Sequence, residues 1–145
     1  MAFGATTYLV STNYEARPGR EYQAVEVDSS LSTVAQTAPR QLVPIYDNEG
    51  IEVVGVVGVT AGSTSAVINI GVYTAAAAEG DLDYFLDSVD VAADKFYPAG
   101  ATGTQYINVT GATQYLAVTS ETADDAAGKY RVIFRKFPVT EVAYA

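Results

Sequence analysis

Six carboxylates fall within one short stretch, EGDLDYFLDSVDVAAD, with no base among them: Glu79, Asp81, Asp83, Asp87, Asp90 and Asp94. Hard cations such as Ca²⁺ take several oxygen ligands, and Asp81 with Asp83 has the one-residue spacing that opens a calcium loop. The turn glycine and the distal bidentate Glu of such a loop do not follow. A cation site here would draw on Asp81, Asp83 and Asp87. The plainer reading, adopted here, is a solvated acidic rim, because alternation after Asp87 turns Asp90 away from Val89 and Val91. No metal and no cofactor are therefore expected.

Paired acids also raise glycoside hydrolysis, which needs two carboxyl groups flanking a cleft. Nothing in the sequence locates a cleft. Other catalytic chemistry is narrowed further, since the 145 residues contain no Cys and no His. That excludes thiol catalysis, zinc ribbons, disulfide frameworks and the usual Ser-His-Asp and Cys-His arrangements. An enzyme is not the expectation. Carbohydrate binding stays open as an alternative function: Trp is absent, but eleven Tyr residues offer rings that stack on sugars. Asn108-Val109-Thr110 matches a glycosylation sequon, which matters only in a secreted chain.

Against a formal net charge of -9, four of the eight basic residues gather in KYRVIFRKF: Lys129, Arg131, Arg135 and Lys136. Alternation puts Tyr130, Val132 and Phe134 on one face and Lys129, Arg131, Ile133 and Arg135 on the other. The basic residues are the outward register of an amphipathic strand. They are candidates for an oligomer interface, pairing with carboxylates of a partner or of a neighbouring copy. The pI near 4.2 argues against nucleic acid as a partner. No apolar run is long enough for a helical membrane span, and the first residues lack the pattern of a secretory signal.

The elements that must position these residues are strands. Val, Thr, Tyr and Gly dominate over Leu, Lys and Glu, and 49% of the residues are hydrophobic, enough for a folded core. IEVVGVVGVT has Val on both registers and predicts a strand buried on two faces. AVINIGVYT alternates Ile68, Ile70 and Val72 against Asn69, Gly71 and Tyr73, and the AGSTS before it predicts a hairpin between the two strands. Alternation predicts a strand over Val89, Val91 and Ala93, a short one with Ile107 and Val109 on one face, and one carrying Leu116 and Val118. AAAA at 75–78 allows a helical turn that Gly80 cuts short. Before residue 49 the reading is of an extended arm or subdomain, residues 1–48, with TTYLV and YQAVEV as strands, punctuated by Pro18, Pro39 and Pro44. Residues 49–145 form the sandwich domain. The fold class is all-β, a jelly-roll-like β-sandwich with an N-terminal arm.

In the C-terminal half, GVYTAAAAEGDLDYFLDS, FYPAGATG and QYINVTGATQYLAVTSETADDAAGKYRVIFRK follow one another. This order resembles the β-sandwich head-decoration, or cement, proteins of tailed bacteriophages: a Tyr-Leu-x-Val strand (Tyr115, Leu116, Val118), a small-residue loop (Thr122 to Gly128) and a last long strand (Tyr130 to Phe137). The resemblance covers roughly residues 65–137. It implies a virion structural protein without catalysis. Such a protein sits outside an icosahedral head, often as a homotrimer, with the major capsid protein as partner, and holds adjacent subunits together. Aromatic and Arg residues favour interface centres. The arm's Tyr14, Arg17, Arg20, Tyr22, Arg40 and Tyr46 are accordingly the capsid-contact candidates, and the basic strand is the candidate seam between copies.

Overall fold

The computed structural model describes residues 21–100 and 105–139. Nine strands arise where β-branched and aromatic residues alternate with polar ones: β1 (Gln23–Asp28), β2 (Arg40–Ile45), β3 (Glu49–Thr60), β4 (Ile68–Thr74), β5 (Glu79–Val89), β6 (Phe96–Pro98), β7 (Gln105–Asn108), β8 (Gln114–Ser120) and β9 (Lys129–Pro138). They form two antiparallel sheets. One runs β1-β9-β3, with β6 and β7 sharing the far side of β3; the other runs β2-β8-β4-β5. The chain is an all-β sandwich. Residues 21–48, read from sequence as part of an arm, supply β1 to the first sheet and β2 to the second.

The core lies between the sheets. Val27, Ile51, Val53, Val56, Tyr130, Val132 and Phe134 from the first meet Ile45, Ile68, Ile70, Val72, Leu116 and Val118 from the second. The alternations expected for β4, β8 and β9 are the ones found. The side chains of β3 are fully buried only on its inner register, against the two-face burial its Val pattern implied; its outer register, half-buried at Glu52 and Val57, is approached at two points, where Phe137 packs over Gly50 and the Phe96 ring lies against Gly55. Both are close approaches that only a residue without Cβ permits.

Three local expectations are corrected. β3 and β4 do not make a hairpin, because both sides of β3 are already taken by β9 and by β6 and β7; residues 61–67 instead cross to the other sheet. The acidic strand is β5, which begins at Glu79 and ends at Val89, so Val91 is buried beyond it. Residues 75–78, by contrast, form a single turn between β4 and β5, in keeping with the short turn before Gly80, with Ala78 at φ 53°. In β7 it is Asn108, not Ile107 or Val109, that is fully buried, because its side chain is needed inside.

Asp125 closes the end of the sandwich where the loops gather. Only 1% exposed, it accepts hydrogen bonds from the Ser29 hydroxyl (3.0 Å) and from the N–H groups of Ser63 (2.9 Å), Ala127 (3.2 Å) and Gly128 (3.1 Å). Burial alone would raise its pKa, but these donors outweigh it and hold the carboxyl below its ordinary value. One side chain thereby fixes three loops.

Candidate functional site

The outer face of the first sheet follows from the register. Crossing from β1 to β6, one row reads Glu26, Arg131, Val57 and Phe96; the next reads Ala24, Ile133, Gly55 and Pro98. Below them lie Arg135, Glu52 and Gln105, then Phe137, Gly50 and Ile107. Charged and apolar rows alternate down the face. Phe96 is 49% exposed and Ile107 38%, so apolar surface reaches solvent between the charges.

Those charges are matched inside the chain. Arg131 Nε donates to Glu26 Oε2 at 3.4 Å, an exposed pair. Arg135 Nε donates to Glu52 Oε1 at 2.5 Å, and its guanidinium lies 5.1 Å from the centre of the Phe137 ring. Burial works against the Arg135 cation, but Glu52 outweighs it and raises the pKa. Tyr22 also donates to Glu52, at 3.4 Å. At the end of the sheet, Lys136 Nζ sits 2.8 Å from Glu49 and 5.0 Å from the Tyr46 ring centre. Lys129 lies beside Asp28, whose pKa is lowered first by the Ser30 hydroxyl (2.5 Å) and further by the Lys129 charge. β9 thus gathers bases because its neighbours β1 and β3 present carboxylates in register.

Of the capsid-contact candidates, Tyr14, Arg17 and Arg20 lie outside the described residues. Tyr22 (56% exposed) and Tyr46 (52%) are surface residues beside the Arg135 and Lys136 ion pairs. Arg40 is apart from them, at the start of β2, where it donates to the Ser32 carbonyl at 2.7 Å.

The acids of β5 occupy the edge of the second sheet. Asp81 and Asp83 come together: a hydrogen bond from Asp83, then burial and the Asp83 charge, raises the Asp81 pKa. Asp87 turns to the Ser88 hydroxyl at 2.9 Å. Among the described residues, no three Asp or Glu side chains converge in a way that holds a metal ion. A depression of about 320 Å³ runs alongside β5, with Asp83, Tyr84, Asp87 and Pro98 in its walls. Tyr84 stacks edge to face on Tyr106 (5.5 Å) and donates to the Gln105 carbonyl, which makes it a packing residue. On the outer face of the second sheet, Tyr73 lies directly opposite Tyr115.

The sequon is structural. Asn108 is 0% exposed and its amide donates to the carbonyls of Ile45 and Ala112, both at 2.8 Å, so both N–H bonds are used in holding the β7–β8 turn. Sequence reasoning also missed Asp125 as an organiser. Its one signal was the Asp-x-x-Gly turn chemistry of ADDAAGK.

No protein-family profile and no curated protein sequence matches this chain. Among solved structures, a chain of the cyanophage Pam1 capsid asymmetric unit superposes with a TM-score of 0.54 at 14% identity. The match covers 93% of this chain and 96% of that one. At that identity the likeness is one of fold.

Proposed function

We propose that the chain is a non-enzymatic structural protein of a phage virion, a decoration or cement protein on the outside of the head. The observation that carries this reading is the fold shared over nearly the full length with a chain of the cyanophage Pam1 capsid asymmetric unit. Its partner is the major capsid protein, whose adjacent subunits it bridges, with neither nucleic acid nor membrane involved. The striped outer face of the β1-β9-β3 sheet supports the reading. Its ion pairs are internally matched, so docking there requires no stripping of an unpaired charge, while Phe96, Val57 and Ile133 offer apolar area. The aromatic and Arg residues Tyr14, Arg17, Arg20, Tyr22, Arg40 and Tyr46 are the proposed capsid contacts, and several weak attachments per head add into a lasting hold.

A carbohydrate-binding reading rests on the opposed Tyr73 and Tyr115. Electron cryomicroscopy separates the two. Heads incubated with the purified chain should gain ordered density outside the shell at subunit boundaries. Heads that stay bare, together with saturable glycan binding lost in Tyr115→Ala, would replace the first reading with the second.

A further inference from the structure

Four sheet edges are visible among the described residues, and three are protected against strand addition. β2 carries Pro44 and shifts register between Gln41 and Val43. β5 shifts register twice against β4, bears Asp81, Asp83 and Asp87, and places Ser88 at φ 57°. β6 and β7 are three and four residues long. Such bulges, charges and short lengths are how sheets prevent unwanted pairing. β1 has neither a bulge nor an unpaired mid-strand charge. Its six residues run in unbroken register with β9, contain no Pro, and carry one mid-strand charge, Glu26, which Arg131 neutralises.

We propose that β1 pairs antiparallel with β1 of a second copy of this chain about a twofold axis at Val25, joining two five-stranded sheets into one. A second copy is the fitting occupant because the other three edges of this chain are unsuited to pairing, so like meets like. Charge selects the register. Ala24, Glu26 and Asp28 share the outer face with Tyr22, while Val25 and Val27 face inward. An axis at Val25 places Ala24 opposite Glu26 of the partner subunit and Tyr22 opposite Asp28 of the partner subunit, with valine meeting valine at the centre. Moving the axis to Glu26 sets carboxylate against carboxylate, which is destabilising. Val25, only partly buried at the sheet edge and packed on the core, becomes covered.

The pairing stands apart from the virion reading and yields two copies where the family resemblance implies three. A chain without Cys makes it testable by cross-linking, since an engineered pair reports without background. Directly opposed antiparallel residues lie about 4.5–5.5 Å apart between Cα atoms, within disulfide reach. The full chain should run at twice its mass in light scattering across a concentration series. On oxidation Val25→Cys should cross-link, as should the outer-face double variant Ala24→Cys/Glu26→Cys, whereas Glu26→Cys alone should not. The double variant keeps the test valid if the change at Val25 disturbs packing. A monomer, which would mean that residues preceding Glu21 or another protein cover the edge, overturns the proposal. So does a trimer, or cross-linking through Glu26→Cys alone.

Discussion

Asp125 and Ser29, 96 residues apart, are joined by a 3.0 Å hydrogen bond that is buried at the loop end of the sandwich. The same carboxylate accepts three backbone N–H groups, so its removal leaves several donors without partners in a site closed to water. Each orphaned buried donor costs about 1–3 kcal/mol. Asp125→Ala should therefore lower stability by on the order of 3 kcal/mol or more in urea unfolding.

The same group sets an acid limb. A carboxyl whose pKa is lowered on folding contributes stability that is fully present above its unfolded value, about 3.9, and lost as pH falls through the folded value. Asp125→Asn removes that term. Its stability deficit relative to the native chain should be constant from pH 7 to pH 5 and shrink below about pH 4. A deficit that widens in acid would contradict the assignment.

Tyr130 presents the opposite case. Burial first, then the Asp125 charge, raises its pKa strongly, and among the described residues no group, the nearby Ser29 included, meets its buried hydroxyl at hydrogen-bond geometry. Deleting a polar atom that makes no bond removes a desolvation penalty. Tyr130→Phe should leave the melting temperature unchanged or raised, in contrast to the loss expected for Tyr130→Ala, which opens a core cavity.

The two outer-face ion pairs should differ in strength. Arg131 and Glu26 are 55% and 43% exposed, against 19% and 24% for Arg135 and Glu52. Double-mutant cycles should give a coupling near zero to about 0.5 kcal/mol for the first. For the second, a short charge-assisted bond, about 1 kcal/mol or more is expected, less reduced by salt.

Gly50 tests the close packing beneath these pairs. A Cβ there would come within 2.3 Å of the Phe137 ring, so Gly50→Ala should destabilise by about 1–3 kcal/mol. Phe137→Leu should recover part of that loss in the double variant, and an additive result would show that the two do not touch.

The strands carrying a two-residue alternation were legible in the sequence, because alternation encodes which face is buried: β4 and β9 show it, and β8 buries the expected Leu116 and Val118 but also most of its other face. Pairing was not legible. Whether β3 turns back on itself or crosses to the other sheet depends on which strands flank it, and their paired residues lie as far away in the sequence as Pro138 is from Glu49. Asn108 was invisible for a related reason, and Asp125 showed only its turn chemistry. Polar residues that are buried to satisfy backbone groups of other segments have no local pattern. The basic strand was seen, but its partners Glu26, Glu49 and Glu52 come from β1 and β3 and appear only once the register is known.

The proposed attachment to the outside of a phage head is read by sedimentation. Heads assembled from the major capsid protein of the same virus would be titrated with the purified chain, pelleted and quantified. Saturable co-pelleting at a fixed ratio to capsid subunits, with a higher temperature of head disruption, is expected. A chain that remains in the supernatant at every concentration, leaving head stability unchanged, would contradict it.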